Sequence, residues 1–163
     1  MTILINVLLF AAAFVGMEVV AHLAHKYVMH GPLWSLHESH HVPHDHRLEK
    51  NDLFGVFFAL PSIGLIWLGT HGYPPALWIG LGMTAYGAAY FLFHDVIVHR
   101  RLKVPYKPGG GYLQRITQAH RMHHARRQRD GAVSFGFLYA PPLDRLKSRR
   151  RAARESATAR PSA

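Results

Sequence analysis

Leu53-Phe-Gly-Val-Phe-Phe-Ala-Leu-Pro-Ser-Ile-Gly-Leu-Ile-Trp-Leu-Gly-Thr70 and Ala76-Leu-Trp-Ile-Gly-Leu-Gly-Met-Thr-Ala-Tyr-Gly-Ala-Ala-Tyr-Phe-Leu-Phe93 stand five residues apart, and neither contains a charged side chain. Helices inside a soluble bundle normally keep one polar face, and these two stretches have none. A third apolar run, Ile3–Ala21, also lacks Lys and Arg. Each run is about 17–20 residues long, close to what a helix needs to cross a hydrocarbon core of about 30 Å. Three membrane spans follow. The first has no basic n-region and no evident small-residue cleavage site, and it runs directly into a histidine cluster, so it is expected to be retained.

The charge outside these runs sets the orientation. The chain of 163 residues has a net charge of +10, yet Lys26, Arg47 and Lys50 are its only cations before Arg100. The N-terminal stub and the short Gly72-Tyr73-Pro74-Pro75 connection carry none. Positive loops stay cytoplasmic, so the N-terminus is expected outside and both basic regions inside, against an anionic leaflet. This asymmetry accounts for the pI near 10.4 without nucleic acid. The chain has no cysteine, which excludes disulfides, thiolate-bound haem, cysteine zinc sites and iron–sulfur clusters held by this chain.

Two glycine motifs have ordinary readings. Gly80, Gly82 and Ala85 match a degenerate dinucleotide fingerprint, but no strand precedes them, and small residues for close helix packing fit the apolar surroundings. Gly109-Gly110-Gly111 is a turn before a short helix expected from about Leu113 to Arg126, without the Lys-Ser/Thr ending of a phosphate loop. From Lys147 the sequence loses apolar periodicity. Residues 1–146 are therefore expected to form the membrane-embedded domain and 147–163 a basic disordered tail.

Fourteen histidines carry the chemistry. His25 and His30 form a His-x4-His pair, followed by the triplet His37, His40 and His41. His94 and His99 repeat the pair, and His120, His123 and His124 repeat the triplet. Residues three and four apart share a helix face, so each triplet can converge. A five-residue offset is about 140° round a straight α-helix, so each pair is expected to give one ligand to each of two neighbouring ions. Three spans put all four clusters at one membrane face.

Ten imidazoles over two ions give five each, leaving an octahedral ion one open position. Imidazole suits Fe, Cu, Ni and Zn, so ligand type does not select the metal. Tetrahedral zinc needs only three or four ligands, so the number favours a binuclear iron centre. Glu18 and His22 precede His25 at one-turn intervals, and Glu18 is expected to orient a ligand imidazole. Asp52 and Asp95 are further candidates for that role. His44 and His46 read as solvated loop residues, and His71 lies at the opposite face.

The pattern resembles the fatty acid hydroxylase superfamily of membrane oxygenases, and within it the bacterial β-carotene 3-hydroxylases. The resemblance is carried by Gly16-Met-Glu-Val-Val20, Ala24-His-Lys-Tyr-Val-Met-His-Gly31, Ser39-His-His41, Asn51-Asp-Leu53, Gly82-Met-Thr-Ala-Tyr-Gly87 and His94-Asp95. Ala119-His-Arg-Met-His-His-Ala125 and Val133-Ser-Phe-Gly-Phe-Leu-Tyr-Ala-Pro-Pro142 complete it, and it covers residues 1–146. It implies a carotenoid hydroxylase that uses O2 to hydroxylate β-ionone rings at C3 and C3′, taking β-carotene through cryptoxanthin to zeaxanthin, with 4-keto rings also accepted. It implies two non-haem iron ions on His25, His30, His37, His40, His41, His94, His99, His120, His123 and His124. His22, His44 and His46 fall outside that pattern.

Such chemistry needs a redox metal and two electrons, and no nucleotide fold fits in the remaining chain. A separate electron donor is therefore expected, and the basic face suits an acidic ferredoxin. Phe57, Phe58, Trp67, Trp78, Tyr90, Phe91 and Phe93 are candidate walls for a lipophilic substrate. The expected architecture is an all-α integral protein of the inner membrane with a histidine-rich helical cap on the cytoplasmic face. Its spans number three, or four as superfamily members commonly have. The competing readings are the same machinery acting on a fatty acyl or sterol lipid, and a non-catalytic metal-binding membrane protein.

Overall fold

A computed structural model describes residues 2–42, 48–106 and 108–158. Its described residues are helical or irregular and contain no strand. Helix α1 (Ile3–Leu23) continues as a π-helical turn over Ala24–Met29. Short α2 (Trp34–His41) follows, then α3 (Asp52–Thr70) and α4 (Pro74–Tyr90), which continues as a second π-helical segment over Phe91–Val98. Helices α5 (Gly111–His124) and α6 (Leu143–Thr158) complete the chain.

Three helical stretches, Ile3–Met29, Asp52–Thr70 and Pro74–Val98, are long and apolar enough to cross a membrane. Their surfaces face outward with large apolar side chains: Leu4, Val15, Leu60, Ile63 and Trp67 are all exposed. Water would solvate that surface poorly, whereas lipid tails solvate it well. A helix also satisfies its own backbone, as the hydrocarbon region requires.

Helix α4 packs against both α1 and α3, and the small residues of its N-terminal half explain how. A side chain at Gly80 would run into Ile66 and the Ser62 carbonyl of α3, and one at Gly82 into the Phe10 carbonyl and Ala13 of α1. Between α3 and α4 the Ser62 hydroxyl donates to Gly80 O at 2.9 Å and meets Thr84 Oγ1 at 2.7 Å, polar contacts that hold helices together where burial alone gives no gain. Met17, Ala21 and Tyr86 close the inner end of this bundle, with Phe14, Phe58, Tyr90 and Phe137 around them.

The cap has its own apolar centre of Ile116, Ala119, Val133, Ala140 and Leu146. Helix α5 lies within two residues of its expected bounds. The tail departs from expectation: the helix continues to Thr158 where disorder was expected from Lys147. The fully buried Leu146 anchors its start, good helix formers follow, and Arg151 pairs with Glu155 one turn on at 2.8 Å.

Candidate metal centre

The ends of the first and third membrane stretches, α2 and α5 bring ten imidazoles together in two groups. His25, His30, His37, His41 and His123 form one, and His40, His94, His99, His120 and His124 the other. In each group the five ligand-capable nitrogens all lie within 4.8 Å of one another. These are the ten histidines singled out from the sequence.

Their division differs from the sequence-based expectation. Each pair stays in one group, and each triplet is split between the two. The cause is the π-helical backbone. His30 N donates to His25 O at 3.0 Å and His99 N to His94 O at 2.9 Å, so residues five apart sit one above the other rather than 140° apart. On α2 and α5 the geometry is ordinary α-helix. His37 and His41 turn one way and His40 the other, while His120 and His124 oppose His123.

In the first group every ring has its proton position fixed. Nδ1–H of His25 donates to Phe135 O (2.9 Å), His30 to Arg129 O (2.7 Å), His41 to Arg126 O (2.7 Å) and His123 to Val133 O (3.2 Å). His37 donates to Asn51 Oδ1 at 2.6 Å. A carbonyl oxygen only accepts, so each Nε2 presents a lone pair inward. Yet Nε2 of His37 lies 3.1 Å from Nε2 of both His25 and His41, and His30 Nε2 is 3.1 Å from His123 Nε2. Facing lone pairs repel, and a shared cation removes the conflict. Metal–nitrogen bonds of about 2.0–2.1 Å put neighbouring octahedral ligands about 3 Å apart. The donor set therefore fits a metal ion.

The second group repeats the spacing, with His40 Nε2 3.1 Å from His94 Nε2 and His99 Nε2 3.0 Å from His120 Nε2. The buried His124 Nε2 has no hydrogen-bond partner. Behind the rings, His40 Nδ1 donates to Glu49 Oε1 at 3.0 Å, and His94 Nδ1 faces Asp95 Oδ1 at 3.5 Å. Arg101 ties these carboxylates together: it pairs with Glu49, with Asp52 Oδ1 at 2.7 Å and with Asp95 Oδ1 at 3.3 Å. Burial lowers the pKa of the cap imidazoles, with His37 held at about 3 and His41 and His99 each at about 4. They remain neutral ligands at physiological pH.

Glu18 does not orient an imidazole. It accepts from Tyr86 Oη at 2.8 Å and from the backbone N–H groups of Phe137, Leu138 and Tyr139 at 2.9–3.1 Å. It thus ties down the loop that supplies Phe135 O to His25. Phe137 in the same loop stacks on His25 with ring centroids 5.1 Å apart. His22 belongs to neither group and meets the Phe135 ring edge-on. Asp52 stands behind Glu49 and Arg101: it accepts from the Glu49 backbone N–H at 3.0 Å and pairs with Arg101 at 2.7 Å. His71 is exposed, stacked on Trp67 at the far end of α3. His44 and His46 lie outside the described residues.

Sequence reasoning missed Glu49, Asn51 and Arg101, and the carbonyls of Arg126, Arg129, Val133 and Phe135. Asn51 and the Val133–Pro142 segment carried a family resemblance without a role, and nothing in their spacing announces contact with a ring.

Two cavities adjoin the site. One of about 660 Å³ runs between α1, α3 and α4 and is bordered by Met17, Phe58, Met83, Tyr86, Tyr90 and Phe137. Of the candidate wall residues, Phe58, Tyr90 and Phe91 border it, Phe57 and Trp67 point outward, and Phe93 packs into the cap. The other, an open groove of about 980 Å³, is bordered by Arg100, Arg101, Lys103, Arg121 and Arg127.

A family model described as fatty acid hydroxylase matches residues 10–148. The chain is 55% identical over 143 residues to a β-carotene hydroxylase of Pantoea ananas, covering 88% of this chain and 82% of that protein. It is 52% identical over 141 residues to a β-carotene hydroxylase of Paracoccus sp. (strain PC1), covering 86% and 87%. A chloroplastic β-carotene 3-hydroxylase 2 of Arabidopsis thaliana is 39% identical over 133 residues, 79% of this chain and 43% of that longer protein. No solved structure matches.

Proposed function

The chain belongs to the fatty acid hydroxylase family, and from that premise we propose that it hydroxylates β-carotene at C3 and C3′ of its β-ionone rings. Cryptoxanthin is the intermediate, zeaxanthin the product, and 4-keto rings are further substrates. The observation that carries this reading is Phe137. Its ring borders the apolar cavity on one side and stacks on His25 on the other, so a ring entering from the bilayer ends beside the imidazoles.

The ten histidines hold two non-haem iron ions, five to each. Iron bound there supplies the redox chemistry that lets O2 react with an unactivated C–H bond. The chain's own groups do the rest. Phe58, Tyr86, Tyr90 and Phe137 exclude water and hold the apolar ring, and the Nδ1 partners of His25, His30, His37, His40, His41 and His123 fix those imidazoles with their lone pairs inward. The basic groove beside His99, His120 and His124 suits an acidic electron donor of the ferredoxin type. The protein lies in the inner membrane with the histidine cap on the cytoplasmic side, where the cationic segments stay.

Expression in a bacterium that accumulates β-carotene, followed by pigment chromatography, tests the substrate. Cryptoxanthin and zeaxanthin are expected. Unchanged β-carotene in cells that contain the folded, metal-loaded protein would point to another lipid, and the same extracts analysed for hydroxylated acyl chains and sterols would identify it.

A further inference from the structure

The two histidine groups differ in what stands behind their rings. Around His25, His30, His37, His41 and His123 every Nδ1–H goes to a neutral oxygen, four backbone carbonyls and the Asn51 amide. All five rings are buried, and of them His41 alone borders the open groove. In the second group His40, His99, His120 and His124 all border that groove. Here His40 donates to a carboxylate, Glu49, and His94 faces another, Asp95.

Glu49 is held in place. Its side chain is 4% exposed and pairs with Arg101, which also grips Asp52 and Asp95. A carboxylate behind an imidazole fixes the ring and raises its basicity as a ligand.

We propose that the two metal positions are inequivalent: the ion at His40, His94, His99, His120 and His124 exchanges through the groove, and Glu49, clamped by Arg101, is the positioning residue that retains it. This rests on the reading that both groups hold metal. The first position is sealed by the carbonyls of Arg126, Arg129, Val133 and Phe135, so its ion leaves only when that segment opens.

The test is chelation of the purified full chain in detergent micelles, loaded with ferrous iron, with total iron measured before EDTA is added. Release in two phases of equal amplitude is expected. Glu49→Gln should speed the fast phase by about 10–100-fold, the usual range for losing such a partner, and leave the slow phase unchanged. Asn51→Ala should do the reverse. Arg101→Lys, which keeps the charge but not the fork, should speed the fast phase less than Glu49→Gln, and it serves where that variant misfolds. Single-phase release of both ions would overturn the inequivalence while leaving the two-ion reading intact. Equal acceleration of both phases by Glu49→Gln would overturn its assigned role. A folded protein that binds no iron would remove the underlying reading and this inference with it.

Discussion

The amide nitrogen of His99 lies 2.9 Å from the carbonyl oxygen of His94, a hydrogen bond that spans five residues where an α-helix spans four. That step stacks the two rings on the same side, and inserting one residue destroys it. Insertion of an alanine after Val96 should rotate His99 by about 100° from its group while leaving His94 in place. Metal content should fall, and hydroxylation should be lost. The same insertion after Lys103, in the loop before α5, should be tolerated. Elemental analysis of the two purified variants gives the comparison.

The cavity offers a way to separate substrate binding from metal binding. Gly87 borders it, and a Cβ placed there meets nothing within 4 Å. Gly87→Leu should therefore fold, keep its full metal content and fill space that an apolar ring would use. Carotenoid turnover should drop at least about tenfold, the lower end of what a single methylene group is worth in a hydrophobic pocket. Loss of metal together with turnover would mean that the cavity and the metal centre are not separate structures.

Glu18 accepts from four donors within a span. Glu18→Ala leaves Tyr86 Oη and three backbone N–H groups without their acceptor. Hydrogen bonds to a charged group are worth about 1.5–3 kcal/mol each, so a loss of roughly 3 kcal/mol or more is expected. Thermal unfolding in detergent measures it, and Glu18→Gln should recover part of the loss because its amide oxygen still accepts.

Acid should empty the site over a defined range. Burial holds His37 at about 3 and His41 and His99 at about 4, below the ordinary value of 6.5. The unfolded chain takes up protons first as pH falls. The stability these groups contribute is full above about pH 6.5 and drains away as pH drops towards about 4. Metal retention in the folded state should persist below pH 6, where exposed polyhistidine releases its metal. Release tracking a simple exposed imidazole would contradict the buried geometry.

Legibility in the sequence followed physical scale. The three spans are visible because lipid demands a long uncharged run, and Leu53–Thr70 carries no charged side chain. The ten imidazoles are visible because the same histidine spacing occurs twice. Their partition is not, because His25 and His30 fall in the same group only on a π-helical backbone, which depends on one hydrogen-bond shift that no residue type marks. Glu18 is noticeable as an ionisable residue inside a span, but three of its four donors lie about 120 residues away in an irregular loop. The carbonyls that fix His30 and His41 belong to Arg129 and Arg126, and a backbone oxygen leaves no trace in residue identity. Helix α6 is hard to see in the sequence because exposed arginines surround its buried anchor, Leu146.

The most direct measurement is turnover of β-carotene by the purified protein in lipid nanodiscs, loaded either with ferrous iron or with zinc, with an electron donor and 18O2. The iron-loaded protein should yield zeaxanthin carrying 18O in both hydroxyls, and the zinc-loaded protein none, because zinc has no redox chemistry. Equal activity with zinc, or hydroxyl oxygen drawn from water, would contradict hydroxylation by a histidine-bound iron centre.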